Sequence, residues 1–309
     1  MRKYEKSPKV TVVTPSYNQG RFIRETIESV LNQDYNNIEY WVIDGGSTDE
    51  TIGILESYGE KIKWISEKDR GQTDAVNKGI KLASGEIIGW LNSDDTYLPG
   101  AVRRAVEYFE NHKKVDMVYG EGYFIDENSE VIDRYYTEPY DYRRLAELCY
   151  ICQPTAFFKK EIGLKVGLLD EKLDLCMDYE FWMKIAQNGN IGYIPDYQAT
   201  SRLYAENKTL SRKVEVQKEV CETVYKYYDY VPMTWIYSYV MEKRDRRRGR
   251  GFYKELIICF RQFNSKNVKL SIQSLSSIIW RRCRRKLKGG YSKKIRIRLE
   301  GEKGSRFND

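Results

Sequence analysis

The hydrophobic pattern changes once along the chain, near residue 115, and the two parts predict different structure. Over residues 9–119, short apolar runs alternate with stretches of helical spacing. Val10-Thr11-Val12-Val13 is short and β-branched, as a strand buried on both faces should be. From Gly20 to Gln33 the apolar residues Phe22, Ile23, Ile27, Val30 and Leu31 recur at helical intervals. Tyr40–Ile43, Ile62–Ile65 and Glu86–Leu91 read as three more strands, and Gln72–Ala83 and Gly100–Asn111 as helices. Ser47 followed by Glu50 has the spacing of a capping box, which predicts a helix from there to about Tyr58. Strands alternating with helices in this way predict a mainly parallel sheet with helices on both faces.

Beyond residue 115 the strands shorten and turns come between them. Val115–Tyr119, Gly122–Ile125 and Val131–Tyr136 read as strands, with a turn at Glu127-Asn128-Ser129. Helices are expected near 141–148, 160–166 and 178–188, and a long one over 207–228. After Pro232 the pattern predicts helices at roughly 233–246, 252–263 and 268–287. The expected organisation is a domain over 1–230, with halves 1–119 and 120–230, and a helical extension over 231–309.

Charge sharpens that division. The net charge of +7 is the difference between unlike parts. Glu242–Arg298 holds 20 Lys/Arg against three acidic residues, whereas residues 1–241 hold 30 against 39. A basic segment after an acidic body points to an anionic surface, either lipid head groups or nucleic acid. No apolar run approaches the ~20 residues that a membrane-spanning helix needs. The charged start MRKYEKSPK lacks the features of a secretory signal, and with six cysteines this points to a reducing, cytoplasmic setting. Cys149 and Cys152 form a CxxC with no second pair or nearby histidine, so free thiols are expected rather than zinc. The 26 tyrosines suit sheets and polar ligand surfaces and decide nothing by themselves.

In a parallel sheet, ligands gather beyond the carboxyl ends of the strands. Four such ends carry polar groups: Thr14-Pro15-Ser16-Tyr17-Asn18, Asp44-Gly45-Gly46-Ser47, Glu67-Lys68-Asp69-Arg70-Gly71-Gln72 and Asn92-Ser93-Asp94-Asp95. A hard divalent cation takes carboxylate oxygens and can neutralise a diphosphate as it leaves. Asp94-Asp95 would suit that chemistry, although an acidic pair is also common in solvated turns.

The segments TVVTPSYNQGRFIRETIESVLNQ, VIDGGSTDET, DRGQTDAVNKGI and GEIIGWLNSDD, in this order, resemble the family 2 glycosyltransferases of GT-A fold. The likeness covers about residues 8–205. It implies a Rossmann-like α/β fold and an inverting enzyme using a nucleoside-diphosphate sugar, often a UDP-sugar, with Mg²⁺ or Mn²⁺. By this resemblance Asp95 contacts the metal, and Asp94 the ribose and the metal as well. Pro15 and Tyr17 flank the base, Asp44 accepts the uracil imide N–H, and Asp69 is a second base-side carboxylate. An inverting transfer needs a general base, and within Met177-Asp178-Tyr179-Glu180-Phe181-Trp182 the resemblance points to Asp178, with Glu180 as the fallback. Asp178 would equally serve as a helix N-cap.

Cys152-Gln153-Pro154-Thr155 resembles the family's acceptor side, which makes Gln153 a candidate acceptor contact. Two positions depart from the family pattern. Leu168 stands where a second glycine is usual, and Tyr204 stands where relatives carry a histidine that reaches the metal or diphosphate. The only histidine, His112, lies far from the motifs at a helix end and reads as a surface residue. A glycan or lipid-linked acceptor in cell-surface polysaccharide synthesis is the implied partner, with residues 241–298 touching an anionic membrane from its cytoplasmic side. Two other readings compete. A sugar nucleotidyltransferase would show a glycine-rich, basic signature at its first strand end, which PSYNQG is not. A nucleic-acid-binding protein would leave the acidic strand ends unexplained, so no nucleic-acid partner is expected.

Overall fold

The structure is a computed structural model, and it describes residues 7–245, 247 and 251–264. The chain divides into two compact units, Met1–Glu219 and Val220–Asp309.

The first unit opens with the predicted alternation. Its elements are β1 (Val10–Ser16), α1 (Ile23–Leu31), β2 (Ile38–Asp44), α2 (Thr51–Ser57), β3 (Lys63–Ser66), α3 (Gln72–Leu82) and β4 (Ile87–Trp90). These four strands pair in parallel in the order β3-β2-β1-β4. Val10, Val12, Ile23, Ile27, Val42 and Leu55 are buried together between sheet and helices, which accounts for the apolar strands and the striped helix. The capping box is not formed. α2 starts at Thr51 with Glu50 as its N-cap, and neither residue's side chain caps it. The Ser47 hydroxyl is spent on Asp44 instead.

A short β5 (Thr96–Tyr97) and α4 (Ala101–Asn111) lead into the second half of the sheet. Here β6 (Met117–Ile125) and β7 (Val131–Arg134) form a hairpin, so the two strands expected over 115–125 are one. α5 (Tyr142–Glu147), β8 (Phe157–Lys159), α6 (Lys160–Lys165), α7 (Met177–Asn188) and β9 (Ile191–Arg202) complete it. β8 joins the halves by pairing antiparallel with both β4 and β6, and β9 runs parallel to β6. The sheet is thus parallel at one side and mixed at the other. The helix expected over 207–228 breaks at Arg212 into α8 (Lys208–Ser211) and α9 (Lys213–Tyr228).

In the second unit α10 (Met233–Lys243) and α11 (Phe252–Asn264) pack as a pair. Tyr237 and Phe252 meet edge-on at 5.7 Å between ring centres. The buried Asn264 amide accepts the Val231 N–H at 2.7 Å and donates to the Val231 carbonyl at 3.1 Å. Glu255 of α11 pairs with Lys243 and Arg244. The helix expected over 268–287 lies outside the described residues.

Candidate active site

The carboxyl ends of β1, β2 and β3 are in register, with Ser16 beside Asp44 and Asp44 beside Ser66. Asp44 is fully buried at this edge. Its Oδ2 accepts the N–H groups of Gly46 and Ser47 at 3.0 and 2.8 Å and the Ser66 hydroxyl at 2.7 Å. Its Oδ1 accepts the Ser47 hydroxyl. Next to it, Asp69 accepts the Gly71 N–H at 2.9 Å. An Asp69 carboxylate oxygen lies 2.8 Å from where a Cβ on Gly45 would sit, so a side chain at 45 would displace it. That glycine lets the ends of β2 and β3 close on each other.

The turn after β1 is tied to the segment after β2. Asn18 N–H donates to Ser47 Oγ at 2.7 Å, and Thr48 N–H donates to Asn18 Oδ1 at 2.9 Å. Gln19 and Gly20 N–H groups donate to Thr51 Oγ1 and Asp49 Oδ2, both at 3.0 Å. Pro15 is buried within β1, while Tyr17 stands out at 59% exposure with its ring open.

Beyond β4 the chain turns through Asn92-Ser93-Asp94-Asp95. Asp95 is 4% exposed. Its Oδ1 accepts the Arg202 N–H at 2.9 Å, and the Asn92 amide lies 3.4 Å from its Oδ2. Asp94 Oδ2 accepts the Tyr204 hydroxyl at 3.0 Å, so the residue at the family's histidine position does reach this motif. Burial pushes both carboxyls above the ordinary range, and the charge of Asp94 pushes Asp95 further. The Arg202 charge offsets this only in part, because its guanidinium hydrogen bonds go elsewhere. The guanidinium donates to the Asp94 and Asp126 carbonyls at 2.8 and 3.0 Å, to Ser129 Oγ at 2.9 Å and to Glu25 at 2.6 Å. It also lies over the Phe22 ring, which packs against Tyr204 at 5.1 Å.

An amide chain supports the motif from below. Asn92 Oδ1 accepts from Gln72 at 2.8 Å and from the Trp90 indole at 2.9 Å. Asn92 Nδ2 donates to Gln153 Oε1 at 2.8 Å, and Gln153 Nε2 donates to the Trp90 carbonyl at 2.7 Å. Gln153 is buried with both ends of its amide engaged.

Asp178 is the second residue of α7, so it is not the cap, which is Cys176. Its Oδ1 accepts the Tyr179 N–H at 2.7 Å. Burial, with the charge of Glu219 added, pushes its carboxyl up to about 6. Glu180 is fully buried and pairs with Lys184 at 3.0 Å, which turns it inward. His112 is exposed and stacks on Tyr108, 4.1 Å between ring centres, at the end of α4. Cys149, Cys152, Cys176, Cys221 and Cys259 are free thiols. Among the described residues no three His, Cys, Asp or Glu side chains gather in a way that could hold a metal ion. One buried and one half-buried carboxylate held above their ordinary range nonetheless offer the hard oxygen ligands a divalent cation takes.

Sequence reasoning passed over four supporting residues: Gln72, Asn92, Arg202 and Glu219. Gln72 and Asn92 lay inside quoted motifs. Nothing in the pattern marked Glu219, which comes from α9.

Fold and site together define an α/β domain whose ligand edge is acidic. The family model for glycosyl transferase family 2 matches residues 11–163. A glycosyltransferase of Rickettsia typhi is 32% identical over 222 residues, 68% of each chain. The chondroitin synthase of Escherichia coli is 29% identical over 215 residues, 69% of this chain and 31% of that one. Among solved structures, S. aureus TarS 1-349 in complex with UDP-GlcNAc superposes with a TM-score of 0.59 at 20% identity, covering 82% of this chain and 80% of that one. The mannosyltransferase PcManGT of Pyrobaculum calidifontis, in complex with GDP-Man and Mn²⁺, gives 0.54 at 16% identity, covering 98% and 82%. The chain belongs to glycosyl transferase family 2. It is a glycosyltransferase with the GT-A arrangement of a sheet flanked by helices.

Proposed function

We propose that this enzyme moves a sugar, with inversion, from a nucleoside-diphosphate sugar to a hydroxyl of a glycan or lipid-linked acceptor in cell-surface polysaccharide synthesis. The observation that carries the reading is the adjacent Asp94-Asp95 pair after β4, Asp95 buried and Asp94 half-buried, whose carboxyls stay raised despite the donors they have. Asp95 and Asp94 would hold Mn²⁺ or Mg²⁺, which supplies the charge that lets the diphosphate leave. A UDP-sugar is the favoured donor. TarS was solved with UDP-GlcNAc, whereas PcManGT was solved with GDP-Man and Mn²⁺. Chondroitin and hyaluronan synthases among the relatives support a polysaccharide product.

In this reading residues 1–119 bind the nucleotide and 120–230 the acceptor. Tyr17 offers its open ring to the base, beside Pro15, Asp44 and Asp69. Asp178 takes the proton of the acceptor hydroxyl as that oxygen bonds to the anomeric carbon. On the opposite face the bond to the diphosphate breaks. A base with a pKa near 6 is ionised at neutral pH and still basic enough for this task. Gln153 acts through Asn92, since neither end of its amide is free for an acceptor. A UDP-release screen across donor sugars with Mn²⁺ tests the reading. Activity with one or more UDP-sugars, lost in Asp95→Asn, supports it; full activity in that variant removes the pair from the reaction.

A membrane surface is the second part of the proposal. α11 exposes Tyr253, Ile257 and Ile258, with the basic Lys254 and Arg261 close by on the helix. Apolar side chains flanked by cations suit an anionic lipid surface. Among the described residues no helix is long and apolar enough to cross a membrane. Flotation with anionic vesicles should carry the full chain and not a chain ending at residue 240. Equal behaviour of the two would end this part.

A further inference from the structure

The start of α7 is held by a residue from another helix. The first N–H groups of a helix have no partner within it, and the cap residue Cys176 supplies no side-chain acceptor. Glu219 of α9 instead holds the cap residue and the residues just before it. Its Oε1 accepts the N–H groups of Leu175 and Cys176, both at 2.8 Å, and its Oε2 lies 3.5 Å from the N–H of Asp174. One carboxylate therefore grips the three residues leading into the turn that carries Asp178. Glu219 also lies outside the segment matched by the family model, residues 11–163.

We propose that Glu219 is a positioning residue for the transfer: it fixes the approach to α7 so that the Asp178 carboxylate is presented to the acceptor hydroxyl. The proposal rests on the reading of Asp178 as the base. It also assigns Glu219 an electrostatic part. Three titratable groups face Asp178: Glu219, the Cys149 thiol after α5 and the Tyr135 phenol after β7. Burial holds the thiol and the phenol protonated, so of the three it is Glu219 that raises the Asp178 carboxyl. A negative charge beside a carboxylate disfavours its ionised form and makes it a stronger base. A cap that merely stabilised α7 would be worth about 1 kcal/mol and would leave the proton affinity of Asp178 alone.

Two substitutions in the full chain separate these roles. Glu219→Ala removes the acceptor and the charge. Glu219→Gln keeps an oxygen acceptor and removes the charge. UDP release is followed against pH with Mn²⁺ and UDP-GlcNAc, or whichever UDP-sugar the donor screen selects. Thermal unfolding is recorded alongside. We expect Glu219→Ala to lower kcat about tenfold or more, with the donor KM within about twofold, because small misplacements of reacting groups are costly. Glu219→Gln should recover most of kcat and move the acid limb of the pH profile down by roughly a few tenths of a unit, since a neighbouring charge has been removed. The proposal is overturned if Glu219→Ala keeps wild-type kcat or if Glu219→Gln keeps the wild-type acid limb. If the alanine variant does not fold, the glutamine variant decides. Asp178→Asn separates the two levels, because activity in that variant would refute the base itself, whatever Glu219 does.

Discussion

The ends of β2 and β4 both present buried aspartates, yet the structure treats them in opposite ways. Asp44 has four donors, two from backbone and two from serine hydroxyls, and its charge is used up within its own turn and by β3. Asp94 and Asp95 are adjacent, the second buried and the first half-buried, and share few donors, while the nearest guanidinium is turned to carbonyls and Glu25. Burying a carboxylate is costly unless it is paired or hydrogen-bonded. The first end is braced by its own donors before any base is placed beside it. The second is left incomplete at an energetic cost, as expected of a site that a ligand completes.

The contrast is broken most strongly by removing the β4 charges. Asp95→Asn or Asp94→Asn should lower kcat by about a thousandfold or more, in the range expected when electrostatic stabilisation of a transition state is lost. Neither should destabilise the fold at neutral pH. A carboxyl raised by burial keeps its proton longer in the folded chain, so stability falls as pH rises through that window, and asparagine removes the loss. Parallel UDP-release and urea titrations check both halves, and a clear loss of stability would contradict the contrast.

Asp178 should show the same sign. Its carboxyl is raised to about 6, so the native state binds the extra proton between the unfolded value and pH 6. Asp178→Asn should abolish turnover and raise stability at pH 7.5 by about 1–2 kcal/mol, a figure discounted for partial exposure. That gain should shrink as pH falls from 6 toward 4, which denaturation at several pH values would show.

Asp44→Asn should do the opposite. It strands donors at a buried site and should cost about 2 kcal/mol or more of stability, read by the urea midpoint. The smallest effect is expected at Leu168, which occupies a left-handed conformation at φ +61° after Gly167 at +84°. Leu168→Gly would relieve about 1 kcal/mol of backbone strain. It would also give up a side chain that is 7% exposed, so the net change should stay within about 1 kcal/mol.

The parallel half of the fold was readable because each strand is short, apolar and separated from the next by a striped helix. The mixed half was not. β9 carries Pro195 at its middle, which cannot donate to a ladder, and the strand accommodates it by skipping residues 195 and 196 in its pairing with β6. β8 is three residues long and gains its identity from neighbours distant in sequence. The break at Arg212 has no proline or glycine to announce it; Asn207 caps α8 by accepting the Thr209 N–H. At the site, residue types after each strand pointed to the acidic edge. They did not show that the Ser47 hydroxyl would bond Asp44 instead of a helix start, nor that Tyr204 would bond Asp94. Those outcomes depend on which donors the fold brings within reach, and adjacent residues do not specify that.

With Tyr204 on Asp94 and no third acidic, thiol or imidazole ligand among the described residues, the cation site should need the nucleotide to complete it. Calorimetric titration of Mn²⁺ into the protein, with and without UDP, tests this most directly. The account predicts weak binding to the protein alone, with Kd about millimolar, and binding at least tenfold tighter with UDP, since the diphosphate supplies the missing oxygens. Micromolar binding of Mn²⁺ without nucleotide, unchanged when UDP is added, would contradict it.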